Sequence, residues 1–285
     1  MRTHTLSLES DKLTKLRQLY QKNLLNVNQP YVLFAARQND VQITAYKTGK
    51  VVLQGDEVSS ELVTIKTYLD ITDFAAIGSD EVGTGDLFGP VVVCSVYTKE
   101  EDIAYLESLN VRDSKRMSNR EIIKLGPQIA KKLTHSIIIL SPDKYNQMVD
   151  EGYNLNKIKA LLHNHMIIKT TSKVTEPVPV IIDQFCLPNH YFNYLKDEPF
   201  VYSDVEFHVD GENVHLSVAA ASIIARYAFL AKMHQQSKKY GYKLKLGAGK
   251  DVDEQLKEIV SDLGIKVLPK IAKMNFKNIS KLNLD

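Results

Sequence analysis

Apolar residues recur at helical spacing from Lys12 to Leu25, where Leu13, Leu16, Leu19, Tyr20 and Leu24 define one face behind candidate caps at Ser10 and Asp11. Short β-rich runs follow: Tyr31 to Arg37, Val41 to Tyr46 and Val51 to Gln54, parted by Gln38-Asn39-Asp40 and Lys47-Thr48-Gly49-Lys50. They predict a small meander. From about Ser59 to Leu69 the helical period returns through Leu62, Val63, Ile65 and Leu69. Residues 1 to about 70 therefore read as a separate α+β module, because each element has an apolar face to bury against another.

After Asp73 the pattern changes. FAAIGSD is strand-like and runs into a glycine-dense turn (Gly83, Gly85, Gly89-Pro90), which the strongly β-forming VVVCSVYT follows. This order predicts a hairpin of long strands. Asn119 to Leu133 reads as helix behind the start signal Ser118-Asn119, Ser136 to Leu140 as strand, Asn154 to Thr170 as helix and Val178 to Ile182 as a buried strand. From Ser217 to about Met233 an alanine-rich helix is expected, whose Ala219, Ala220, Ala221 and Ala225 permit close approach to a sheet. Such alternation predicts an α/β sheet with helices on its faces. The remainder to Asp285 is basic and mixed.

A length of 285 residues agrees with two domains, at roughly 100 to 200 residues each. Hydrophobic content of 44% and charged content of 25% exclude disorder and a fibrous repeat. Lys plus Arg at 36 against Asp plus Glu at 34 excludes a histone-like polycation and leaves any nucleic-acid affinity to local patches. Cys94 and Cys186 lie in apolar runs, as expected for thiols of a reducing compartment. No uninterrupted apolar stretch approaches the ~18 residues of a membrane span, and the first residues lack the apolar core of a signal peptide. A cytoplasmic protein with no membrane partner is expected.

The chemistry concentrates in strand-end acids. Asp80 and Glu81 stand where an apolar strand meets the glycine turn; strand neighbours point to opposite faces, so the pair converges only if the chain bends at once, a bend assigned to Gly83. Asp183 ends VPVII, and a carboxylate rarely closes a buried strand without a partner or a metal. Clustered carboxylates repel unless cations compensate. Their hard oxygens suit Mg²⁺ or Mn²⁺, two of which, about 3.5 to 4 Å apart, would activate a water and stabilise the leaving oxygen of a phosphodiester. Composition and spacing alone do not separate this reading from a structural acid cluster.

The string GSDEVGTGDLFGPVVV resembles the first signature of the type 2 ribonucleases H, with an Asp-Glu pair, a glycine-X-glycine loop and a Gly-Pro. RDSKRMS at Arg112 to Ser118, VIIDQF at Val180 to Phe185 and SVAAASIIARYAFL at Ser217 to Leu230 also match. Gly83-Thr84-Gly85 departs from the ribonuclease HII branch, which usually carries arginine between its glycines. With its extension of about 70 residues, the chain resembles the ribonuclease HIII branch over most of residues 74 to 265.

The resemblance implies an α/β, ribonuclease H-like domain with a mixed sheet flanked by helices over residues 71–285, preceded by a small α+β, TATA-binding-protein-like substrate domain over 1–70. It implies cleavage of the RNA strand of RNA–DNA hybrids with Mg²⁺ or Mn²⁺, leaving 5′-phosphate and 3′-hydroxyl ends. Asp80, Glu81 and Asp183 take the first three ligand positions. The family's fourth acid lies eight residues before the Ala-Ala-Ser-Ile motif, and counting back from Ala220 gives Glu212; a two-residue loop shift would substitute Asp210. Asp86 is expected to face water.

Main-chain groups of Gly83, Thr84 and Gly85 would contact 2′-hydroxyls, since glycines let a backbone come close. Ser114 and Lys115, in Asp113-Ser114-Lys115, would bind a phosphate, a surface turn being the bland alternative. Arg37, Tyr46, Lys47 and Lys50 form a basic patch suited to phosphates, although edge-strand lysines also deter aggregation. Ser222 receives no chemistry. Gly247-Ala248-Gly249-Lys250 lacks the spacing of a phosphate-binding loop, with Asp251 where a hydroxyl is required. His163, His165, His208 and His215 lack zinc spacing and read as solvated or hydrogen-bonded, with His215 a candidate for proton transfer. A monomer without an organic cofactor is expected. Two alternatives stand beside this reading: ribonuclease HII-like cleavage at single ribonucleotides in duplex DNA, and a hybrid-binding protein without catalysis.

Overall fold

The computed structural model describes every residue except Met1, Glu57, Thr72, Asp73, Arg112, Asp113, Lys115 and Asn283 to Asp285. Its first unit comprises β1 (Arg2–Ser7), α1 (Ser10–Leu19), β2 (Leu24–Leu25), β3 (Val32–Gln38), β4 (Val41–Tyr46), β5 (Lys50–Gly55) and α2 (Val58–Tyr68). The strands form one antiparallel sheet in the order β1-β5-β4-β3-β2. Period-2 alternation sends Leu6, Phe34, Ala36, Ile43, Ala45, Val51 and Leu53 to one face, where they pack with Leu13 and Leu16 of α1 and Val58, Leu62, Ile65 and Leu69 of α2. Among the described residues, the opposite face carries no helix.

Two sequence expectations change here. The helix predicted over 12–25 stops at Leu19, and Leu24-Leu25 pairs with Ala35-Ala36 as an edge strand. A turn closed by Asn23 N–H on the Tyr20 carbonyl breaks the helix, so tertiary pairing overrides the helical period of Leu24. The strand Arg2–Ser7 has no counterpart in the sequence pattern, because Leu6 is its single aliphatic residue and the alternation is faint.

The second unit comprises β6 (Ala76–Val82), β7 (Val91–Thr98), α3 (Glu100–Ser108), α4 (Asn119–Lys132), β8 (Thr134–Leu140), α5 (Pro142–Asp150), α6 (Leu155–Thr171), β9 (Val180–Asp183), α7 (Pro188–Tyr194), β10 (Glu206–His208), α8 (Gly211–Val214), α9 (Leu216–Tyr240) and α10 (Lys250–Leu263). Its mixed sheet has the order β10-β9-β6-β7-β8, with β9 and β10 parallel to β6, β7 antiparallel to β6, and β8 antiparallel to β7. Both faces are covered, which explains why VVVCSVYT is nearly all apolar. Val91 and Val93 pack with Ile158 and Leu162 of α6, whereas Val92, Cys94 and Val96 join the core containing Ala220, Ile224 and Ile122.

Helix α9 is the central element. It lies so close to β6 that a Cβ on Gly78 would fall 2.2 Å from Val218 N. On its other side Gly126 of α4 admits the Tyr227 side chain, whose Cβ would be 2.4 Å from a Gly126 Cβ. The predicted start of α4 is a capping box: Ser118 Oγ accepts from Glu121 N–H and Ser118 N–H donates to the Glu121 carboxylate. By length and hydropathy α9 resembles a membrane span, but 67% of its most apolar window is buried, as befits a core helix. It runs seven residues past the predicted end to a left-handed Gly241.

An apolar seam of Val63, Phe74, Ala76, Ile181 and Val218 joins the two units. Phe74 N–H donates to His215 Nε2 at 3.3 Å, and the Lys66 ammonium lies 3.9 Å from the Phe74 ring centroid.

Candidate active site

Strand β6 pairs with β7 without a break from Ala76↔Thr98 to Val82↔Val92, so its side chains alternate throughout. Asp80 faces α9, where Ser222 hydrogen-bonds its carboxyl. Ser79 and Glu81 face α6. The expected bend is therefore absent: Gly83 turns the chain, at φ +88°, only after Val82 has completed the ladder.

Asp80 instead meets acids from distant segments. Asp183 closes β9, and its Oδ1 accepts a 2.7 Å hydrogen bond from Gly211 N–H. Glu212 follows on α8, the single turn between β10 and α9. Asp80, Asp183 and Glu212 each offer an oxygen within 4.8 Å of the others. Asp80 and Glu212 are 5% and 1% exposed, whereas Asp210 is exposed at a left-handed position, φ 55°, outside the cluster. Burial, then the charges of Glu81 and Asp183, push the Asp80 carboxyl well above its ordinary range, against hydrogen bonds from Ser222 and from Glu81 N–H. A divalent cation would relieve that repulsion, and the donor set, carboxylate oxygens alone, suits a hard ion.

Glu81 has different company. Its Oε1 accepts from Lys159 Nζ at 3.0 Å and its Oε2 lies 2.9 Å from His163 Nε2. Lys159 and His163 stand one turn apart on α6, where such residues share a face. His163 Nδ1 is 2.8 Å from Ser79 Oγ, and the ring stacks on Phe185, over which the Lys159 ammonium also sits at 4.2 Å. Burial alone would raise the Glu81 carboxyl, but His163 and Lys159 outweigh it and hold the group below its usual range.

The two loop glycines differ in what the fold asks of them. A Cβ on Gly83 would fall 2.2 Å from Pro90 O, and its φ is positive, so the fold itself requires glycine there. Gly85 is exposed and has no positive φ, and a Cβ added to it would meet no atom within 4 Å, so its lack of a side chain serves nothing inside the protein. Thr84 between them is half-buried. Asp86 does not face water as expected: its Oδ1 accepts from Gly247 N–H at 2.6 Å.

On the first unit, Arg37, Tyr46 and Lys50 lie on the helix-free face, and Lys47 is exposed in the turn after β4. Arg37 stands opposite Gln42, which stands opposite Gln54, making a polar row across three strands. Tyr46 stacks near-parallel with Tyr31, centroids 6.2 Å apart. Ser114 is 2% exposed and its carbonyl accepts from Arg226 Nη1 at 3.1 Å; Lys115 lies outside the described residues. His215, expected as a proton-transfer candidate, is tied to Ser217 through Nδ1 and to Phe74 through Nε2, and it caps α9.

A family model described as ribonuclease HII matches residues 77–279, and one for a domain of unknown function matches residues 3–65. The chain is 46% identical to ribonuclease HIII of Phytoplasma mali, covering 99% of this chain and 98% of that protein. It is 36% identical to ribonuclease HIII of Bacillus anthracis, over 97% and 96%. The chain belongs to the ribonuclease HIII family. Among solved structures, Bst-RNase HIII in complex with Mn²⁺ is similar with a TM-score of 0.73 at 36% identity, covering 98% of this chain and 97% of that one. Aquifex aeolicus RNase H3 follows with a TM-score of 0.63 at 28% identity, covering 96% and 100%.

Family membership sharpens what sequence reasoning misses. Lys159, His163 and Ser222 all touch the acids of this ribonuclease HIII chain, yet the sequence pattern assigns none of them to the site. The readable signal is Lys159 and His163 four apart on an otherwise buried helix, since a lysine is almost never buried unpaired.

Proposed function

We propose that this chain hydrolyses the RNA strand of RNA–DNA hybrids at a divalent-ion site held by Asp80, Asp183 and Glu212, with Glu81 as the fourth carboxylate. The carrying observation is the convergence of three carboxylates from β6, β9 and α8 within 4.8 Å, beside a loop whose Gly85 is open for reasons the fold does not supply. Bound there, Mg²⁺ or Mn²⁺ ions would acidify a water and neutralise charge on the leaving oxygen. Lys159 and His163 each hold one oxygen of Glu81, so those two residues set how the fourth carboxylate is oriented.

In this reading residues 71–285 form the catalytic domain and residues 1–70 the substrate domain. Gly83, Thr84 and Gly85 present main chain to a ribose, and Ser114 and Lys115 meet a phosphate. Arg37, Tyr46, Lys47 and Lys50 hold the hybrid backbone from the open sheet, a contact that carries no sequence preference. The protein acts as a monomer in the cytoplasm, consistent with two free thiols.

The test is cleavage of a defined hybrid with Mg²⁺, Mn²⁺ or chelator, beside a duplex carrying one ribonucleotide. Metal-dependent cuts in the hybrid leaving 5′-phosphates, abolished by Asp80→Asn, are expected. Preference for the single-ribonucleotide duplex, or cleavage that survives the chelator, would overturn the proposal.

A further inference from the structure

Lys273 is fully buried, a costly position for an ammonium unless its protons are used. Its Nζ donates to the carbonyls of Asp86 at 2.7 Å and Gly89 at 2.8 Å, and its backbone N–H donates to Leu87 O at 2.9 Å. Gly89 N–H donates to Ile271 O at 2.9 Å, and Phe88 bridges Ala272. At the other end Leu87 N–H donates to Gly247 O at 2.9 Å while Asp86 accepts from Gly247 N–H. The run after the loop glycines is thus fastened by side-chain bonds to residues 161 to 187 positions downstream. The fastening strip is itself anchored to α5: Asn146 Nδ2 donates to Pro269 O and Ala272 O, and Asn146 Oδ1 accepts from Met274 N–H at 2.8 Å.

A site that needed only an apolar plug would take leucine or methionine. Two carbonyls turned inward at the base of the glycine loop need a donor with reach and more than one proton, which lysine has. We propose that Lys273 is a positioning residue for the Gly83–Thr84–Gly85 loop, fixing its base so that the free tip meets a 2′-hydroxyl in one geometry. Geometric error at a reacting site is expensive: a small displacement away from the chemistry itself costs rate. The inference rests on the proposed reading of that loop as the ribose contact.

The experiment compares Lys273→Met and Asp86→Ala with the wild-type full chain on two hybrids, one all-RNA and one with a single 2′-deoxy residue beside a preferred cut. The readout is the ratio of kcat/KM at that bond, which is insensitive to the fraction of folded enzyme. Wild type should favour the ribose by about tenfold or more, the value of a hydrogen bond whose partner is left unpaired. In Lys273→Met the ratio should fall at least about threefold, with a smaller fall in Asp86→Ala, which loosens the opposite end and keeps the test alive if Lys273→Met fails to fold. KM for the all-RNA hybrid should stay within about twofold, because the open sheet is untouched. A ratio unchanged in every variant that folds, with activity lost only in step with folded protein, would make Lys273 merely structural and overturn the inference. Indifference of the wild type to the deoxy residue would instead remove the ribose-reading loop, and this inference with it.

Discussion

Each of the two sheets has five strands, and solvent treats them oppositely. The first buries one face under α1 and α2 and leaves the other to Arg37, Gln42, Gln54, Tyr46 and Lys50, side chains that are polar and spread over several strands. The second buries both faces and keeps its charges at strand ends, where buried Asp80 and Glu212 crowd together with half-buried Asp183. An open face makes many weak contacts, each screened by salt; a closed sheet concentrates strong electrostatics at one point, where low dielectric makes each charge count. In the proposed reading, binding and chemistry are separated by solvent access as much as by position in the chain.

The sharpest break of this contrast is Asp80→Asn. It should cost about a thousandfold or more in single-turnover cleavage, the scale a metal centre supplies, while hybrid affinity by fluorescence anisotropy barely moves. Next comes Lys159→Met, which strips a buried carboxylate of its cation. Urea unfolding should show a loss of about 3 kcal/mol, and Glu81→Gln in the same chain should recover much of it, because the stranded charge is then gone.

The glycine pair sharpens the contrast at smaller scale. Gly83→Ala should lower the melting temperature, since both the left-handed φ and the approach to Pro90 O oppose a side chain, at a cost of at least about 1 kcal/mol. Gly85→Ala should melt like wild type and lose about tenfold in kcat/KM. Smallest are substitutions on the open sheet. Arg37→Ala should weaken binding by roughly threefold to tenfold on every hybrid sequence and make the log–log salt slope shallower by about one, measured by titration at several salt concentrations. Deleting the first unit is a poorer test, because it would strip Val63 from the seam over Phe74, Ile181 and Val218.

What is legible in the sequence follows from burial. VVVCSVYT has to be a doubly covered strand and the alanines of α9 have to approach a sheet, and both do. Glu212 is reached by counting from a motif, because a carboxylate on a one-turn helix leaves no periodic trace. Lys159, His163 and Ser222 escape because their partners lie 78 residues away or more, a separation no local pattern encodes. The bend expected to turn Asp80 and Glu81 the same way is absent for a physical reason: a ladder held to Val82 by β7 does not yield to a glycine that comes after it. The strand Arg2–Ser7 exists because β5 offers it an edge, a fact about the partner and not about the segment.

Gly78 gives the strand a reading frame. If β6 slid by one residue, Asp80 and Glu81 would trade faces, sending one acid to the ammonium of Lys159 and the other to the crowded carboxylates. Either slide would also bring Ile77 or Ser79 opposite Val218, where a Cβ has only 2.2 Å of room. The one residue in β6 with no side chain is what tells two adjacent acids apart.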